Sequence, residues 1–183
     1  MKRHFIFIFA ITIFLFSCSK NEEAIKEPEK IPNLTVLNFE QEAPKYVGKT
    51  IKLEGIVSHT CKHGGKRMFL IDKNDSLRVE ITAGKNVEKF GEELVGSTVV
   101  VEGIVKEERV DEKFLADWEN EVLNPDEEKH EGKKIHTGEE GHDKEDTQRK
   151  LRKINNLREE LRASGKKYLS FFSVEANKFE EKK

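Results

Sequence analysis

Val47-Gly48-Lys49-Thr50-Ile51-Lys52-Leu53-Glu54-Gly55-Ile56-Val57 returns, 48 residues later, as Val95-Gly96-Ser97-Thr98-Val99-Val100-Val101-Glu102-Gly103-Ile104-Val105. Seven of the eleven positions are identical. Each copy is dense in β-branched residues and holds a glycine inside a strand-forming run, the mark of a bulge or sharp bend in a curled sheet. Two copies are too few for a solenoid, which needs about three stacked units or more. The pair reads as two strands with the same job in one small barrel.

Between the copies lie two further strands. Lys66 to Asp72 contains Met68-Phe69-Leu70-Ile71, and Leu77-Arg78-Val79-Glu80-Ile81 alternates, with Leu77, Val79 and Ile81 on the buried side. Gly64-Gly65 and Asn74-Asp75 supply the turns. Asn86 to Val95 has the spacing of a short helix, with Val87, Phe90 and Leu94 on one side and Gly96 as the stop. Strand, strand, strand, helix, strand is the order of an OB-fold up to its fourth strand. Ahead of it, Leu34 to Tyr46 predicts a short strand or helix.

The fifth strand is delayed. Asp111 to Asn124 predicts a helix capped by Asp111, with Phe114, Leu115, Trp118 and Val122 on one face. Pro125 to Glu145 has 12 charged residues among 21 and one large aliphatic, Ile135, too little apolar surface to order itself. A second helix starts near Asp146, with Leu151, Ile154, Leu157 and Leu161 at helical spacing, and closes at Ser164-Gly165. Tyr168 to Val174 is then rich in strand formers and supplies the missing strand. The expected fold is mainly β with a helical insertion: an OB-fold-like five-stranded barrel with two helices inserted before its last strand. The alternative makes that last strand a separate flap on the helical pair.

Residues 33–110 resemble the tRNA-anticodon-like OB-fold proteins of bacterial envelopes, through the paired Val-Gly segments and the turn Cys61-Lys62-His63-Gly64-Gly65-Lys66-Arg67. The resemblance implies a barrel that binds something without naming it, because OB domains host unrelated ligands.

The chain start fits an envelope setting. Lys2 and Arg3 precede an apolar run from Phe5 to Phe16 broken only by Thr12. Twelve helical residues cover about 18 Å, short of a hydrocarbon core of about 30 Å, so residues 1–17 read as a secretory signal peptide. Leu15-Phe16-Ser17-Cys18 resembles the lipobox of bacterial lipoproteins, which implies acylation of Cys18 and attachment to a membrane. Ser19-Lys20-Asn21-Glu22-Glu23 is similar to the signal that sends some lipoproteins to the outer membrane surface. The expected organisation is signal peptide 1–17, lipidated Cys and flexible tether 18–32, barrel 33–110, helical and acidic insertion 111–166, last strand and tail 167–183. With 183 residues there is room for one domain and an appendage, not for a large multidomain enzyme.

His59-Thr60-Cys61-Lys62-His63 is the sharpest chemical signal. In a regular strand His59, Cys61 and His63 share one face, and imidazole with thiolate suits zinc or copper. Lys62, Lys66 and Arg67 repel a cation but lower a thiol pKa, so a reactive or anion-contacting hairpin stands beside the metal reading. The plain alternative is a solvated hairpin end with an inert thiol. With Cys18 lipidated, Cys61 has no disulfide partner in its own chain, and no Cys-x-x-Cys motif supports an oxidoreductase. A second, weaker candidate metal set is His130, His136 and His142, among acidic residues of the insertion.

Between Lys45 and Val110 stand 12 basic and 10 acidic residues, without the basic stripe that phosphate backbones select, so nucleic acid is not the expected partner. Phe69, Tyr168, Phe171 and Phe172 are the rings that could stack on bases. No Gly-rich phosphate loop, His-Glu-x-x-His or nucleophile elbow occurs, and the expectation is a non-enzyme. The reading is a membrane-anchored envelope lipoprotein, its barrel binding a small ligand or protein partner at the Cys61 hairpin. A metal- or thiol-handling factor and a nucleic-acid binder are the competitors.

Overall fold

The computed structural model describes residues 31–61, 64–124 and 144–182, the side chains of 144–146 excepted. The leader, Cys18, most of the tether, His63 and the histidines at 130, 136 and 142 lie outside the described residues. Strand β1 (Asn33–Thr35) leads into helix α1 (Val36–Tyr46). The barrel is made of β2 (Thr50–Thr60), β3 (Arg67–Ile71), β4 (Arg78–Ala83), β5 (Thr98–Val110) and β6 (Leu169–Glu181). Helices α2 (Glu112–Leu123) and α3 (Lys144–Ser164) stand between β5 and β6. Among the described residues no helix is long and apolar enough to cross a membrane.

The strands close in the order β2-β3-β4-β6-β5 and back to β2, with β1 added in parallel outside β2. Only the β4–β6 step is parallel; the other barrel steps are antiparallel. This is the closed, five-stranded mixed barrel of an OB-fold, and β6 belongs to it, not to a flap on the helices. It also runs on to Glu181, through residues expected to be a tail.

The sequence repeat is realised as a local two-fold. In the β2–β5 ladder Leu53 pairs with Val101, its own counterpart, and the outer pairs Thr50–Ile104 and Ile56–Thr98 exchange counterparts about that centre. The closing hydrogen bonds obey the same relation: Gly48 N–H donates to Val105 O at 2.9 Å, and Gly96 N–H to Val57 O at 2.8 Å. Both glycines have positive φ, +77° and +88°, as a tight turn into each copy requires.

The inner faces of the five strands contribute Ile51, Leu53, Val57, Met68, Leu70, Val79, Ile81, Val99, Val101, Val105, Val174 and Ala176 to one core. Helix α1 presses Val36, Phe39 and Ala43 into it, at the spacing that keeps them on one helical face. Asn38 Oδ1 accepts the Thr35 N–H at 2.8 Å and holds the helix start. A second core joins Val110 and Leu169, at the far ends of β5 and β6, to Leu115 and Trp118 of α2 and Ile154, Leu157 and Leu161 of α3. Arg158 of α3 ties the pair by donating to Glu112 and Glu119 of α2, both at 2.8 Å. Asp111 caps α2 through Phe114 N–H, and Gly165, at φ +63°, ends α3.

Three local expectations need correction. Residues 86–95 form no helix beyond one 3-10 turn, Glu92–Leu94. Val87, Phe90 and Leu94 are buried as expected, but from an irregular loop whose Phe90 N–H is taken by Gly65 O and whose Gly91 is extended. Leu77 is exposed, because β4 starts only at Arg78. Gly55 is not a bulge: a Cβ there would lie 2.7 Å from Val36 Cγ2 and 2.9 Å from Leu70 Cβ, so glycine is required by close packing of α1 and β3. Gly103 does sit at a register shift, between β5 and β6.

Candidate ligand-binding face of the barrel

The bulge in β2 falls at Ser58, between Val57 and His59. Up to Val57 the odd-numbered residues point inward; past the extra residue Thr60 is buried and His59 is exposed. One inserted residue therefore moves His59 and the following Cys61 to the outside of the barrel.

Across that face the registers align His59 with Phe69, and Phe69 with Glu80. The adjacent row aligns Ile56, Ile71 and Arg78. The His59 ring stacks against Phe69 at 6.2 Å between centroids and 24° between planes. From the strand on the other side, the Arg78 guanidinium carbon lies over the Phe69 ring, 5.8 Å from its centroid. Each such contact contributes about 0.5–1 kcal/mol at an exposed site. Among the described residues Arg78 makes no ion pair, so its charge is directed at the ring and the solvent.

The opposite side of the barrel is different in kind. There Lys106 pairs with Glu175 at 3.1 Å, Lys178 with Glu102 at 3.1 Å, and Lys182 with Glu54 at 2.6 Å. Two of these pairs cross between β5 and β6, and the third reaches Glu54 on β2. The β2–β4 wall instead offers a ring, two isoleucines, an imidazole and a guanidinium.

Toward β6 this wall carries Glu80, which pairs with Ser173. Glu80 is half-buried there, and burial holds its carboxyl above the ordinary range, with Arg67 and Lys153 pulling the other way. Burial likewise lowers the Lys153 ammonium pKa against the pull of Glu80.

The other sequence candidates separate. Cys61 is half-buried; its N–H donates to Arg67 O at 2.8 Å, which fixes the hairpin base. Among the described residues no three His, Cys, Asp or Glu side chains converge as a metal set, and His63 lies outside them. Of the four candidate stacking rings, Phe69 is on the outer face, Phe172 packs against the barrel core, and Tyr168 lies 4.6 Å under the Arg109 guanidinium. Phe171 is exposed and pairs with Glu108 of β5. Arg78 was the residue missed in sequence reasoning; its signal is the offset of two from Glu80, the direct partner of Phe69.

No protein-family model matches the chain, and no curated protein matches it significantly. Among solved structures, it is similar to a chain described as an aspartyl-tRNA synthetase from Leishmania major Friedlin, at 16% identity and a TM-score of 0.39, over 86% of this chain and 22% of that one. It is also similar to the asparaginyl-tRNA synthetase from Pyrococcus horikoshii, at 35% identity and a TM-score of 0.24, over 40% of this chain and 18% of that one. The chain thus spans about a fifth of the length of each; the barrel itself is assigned from its strand pairings.

Proposed function

We propose that this chain is a non-enzymatic binding module whose ligand docks a flat, ring-bearing group on the Phe69 platform, with the whole module carried on a membrane by a lipid at Cys18. The observation that supports the docking face is the His59–Phe69–Arg78 stack, set on the outside of a barrel whose other wall is closed by ion pairs. A ring presented with an adjacent cation accepts planar groups by stacking and cation–π attraction. The lipid rests on the sequence Leu15-Phe16-Ser17-Cys18 after its apolar run.

The docking face is tested by NMR shift mapping with a set of small planar aromatic compounds. Shifts at Ile56, His59, Phe69, Ile71 and Arg78, lost in Phe69→Ala, are the expected result. Shifts confined to other surfaces reject the platform. For the anchor, Cys18→Ala is expected to move the protein from the membrane to the soluble fraction; retention in the membrane rejects it.

A second reading is favoured by the same stack: bases of single-stranded nucleic acid use aromatic and arginine faces in this way. A ten-residue thymidine oligonucleotide would then bind with an affinity that falls steeply with salt and drops about tenfold or more in Phe69→Ala. Absence of binding at low salt removes it.

A further inference from the structure

We propose that the ligand of the Phe69 platform is a small aromatic carboxylate, whose ring stacks on Phe69 and whose one negative charge is taken by the Arg78 guanidinium. The inference rests on the platform reading above and adds the class of ligand. Arg78 is the first residue of β4 and is exposed; its neighbour Val79 is buried, so Arg78 belongs to the outer face. Its guanidinium carbon lies 5.8 Å from the Phe69 centroid, within reach of a group stacked on that ring. On β3 its direct partner is Ile71. On the other side β4 runs parallel to β6 with Glu80 opposite Ser173, and the same register carried back along both strands brings the exposed Phe171 to the flank of Arg78. The cation is thus set among apolar side chains.

No described acid answers its charge. Among the described residues the Arg78 side chain takes part in no ion pair and no hydrogen bond. The Asp72 carboxylate, at the turn before β4, is already taken by the N–H groups of Asn74, Ser76 and Leu77 and by Ser76 Oγ. The Phe69 ring is what the guanidinium has instead, and at an exposed site a ring holds it less strongly than a hydrogen-bonded carboxylate does. A carboxylate presents two acceptors in one plane, the match for the arginine fork. On binding, the fork turns from the ring to the carboxylate, and the ligand's own ring takes the face the fork has left. A chain of negative charges fits less well, because Asp75 and Glu80 stand on either side of Arg78 along the sequence and repel a second anion.

The test is NMR titration of the full chain with naphthoate and with its neutral counterpart naphthamide, at one ionic strength, in the parent, Arg78→Gln and Phe69→Ala. In the parent, naphthoate is expected to bind about tenfold or more tighter than naphthamide, with shifts at Phe69, Ile71 and Arg78. Arg78→Gln should abolish that preference while naphthamide stays within about twofold of its parent affinity. Phe69→Ala should weaken both compounds. Arg78 is exposed at the start of its strand, so the glutamine variant is expected to keep the parent's spectrum elsewhere. Equal affinities in the parent, or a preference for naphthoate that survives in Arg78→Gln, overturn the carboxylate class and leave the platform standing. Failure of both compounds to bind the parent overturns the platform and this inference with it.

Discussion

At the scale of the residue, Gly48 and Gly103 are needed for unlike reasons. Gly48 holds φ +77° with nothing within 4 Å of a Cβ, so Gly48→Ala meets only backbone strain, about 1 kcal/mol. A Cβ on Gly103 would lie 2.4 Å from Glu175 O and 2.7 Å from Val174 Cγ1, and the backbone of β6 would have to move. Gly103→Ala is expected to cost about 3 kcal/mol, and urea unfolding of the two variants should rank them in that order. Asp72 is a different case: buried at the end of β3, its carboxylate accepts from the N–H groups of Asn74, Ser76 and Leu77 and from Ser76 Oγ, at 2.7–3.1 Å. The Leu77 N–H above all holds its pKa below the ordinary value, against the effect of burial. The folded-state pKa is the lower one, so this stabilisation is complete above the unfolded value, about 3.9, and is lost as pH falls through the folded value. Asp72→Asn should therefore lower the thermal midpoint at neutral pH, and the gap to the parent should close on acidification. A gap unchanged down to the acid limit of folding would mean that the charge is not what matters.

At the scale of the element, the inserted helices have a core of their own. Ile154 is fully buried among Leu115, Trp118, Leu157 and Leu161, and meets the barrel through Val110 and Leu169. Ile154→Ala should cost about 2–5 kcal/mol. Its loss is expected to show first as faster hydrogen exchange in α2 and α3, with β2 and β3 amides still protected; equal loss everywhere would make helices and barrel one cooperative unit. These helices were legible in the sequence because each carries its start, its apolar period and its stop in contiguous residues, Asp111 for one and Gly165 for the other. The loop at 86–95 misled for the same reason: Val87, Phe90 and Leu94 fit a helical period, but burial from an irregular loop satisfies that spacing as well. The facing of His59 was open, since it depends on a bulge at Ser58 that exists only in the pairing with β3. The platform was half legible: Phe69 was named as a candidate ring, whereas its neighbours His59 and Arg78 come to it from two other strands, across a register that no local pattern encodes.

At the scale of the whole molecule, closure of the barrel rests on a strand that arrives after the helical insertion, and its two halves do different work. Residues 173–176 pair with β4, and residues 169–176 with β5 from Gly103 to Val110. Residues 178–181 pair with β5 alone, from Val99 to Glu102, and bring Phe179 against Phe90 at 5.5 Å. A chain ended after Ala176 keeps every β4–β6 bridge and so keeps the barrel closed. It loses the Phe179 packing and the pairs Lys178–Glu102 and Lys182–Glu54, of which the exposed ion pairs contribute little. The expected outcome is a monomer with a cooperative urea transition, less stable by about 3 kcal/mol. A chain ended after Gly165 loses β6 entirely and leaves the edges of β4 and β5 unpaired, the latter along 13 residues. Open strand edges of that length recruit other chains, so this second truncation should elute as aggregates and show no cooperative transition. If instead it stays monomeric with the parent's transition, the barrel does not depend on β6, and the local two-fold of β2 and β5 with its two neighbouring strands is the folding unit.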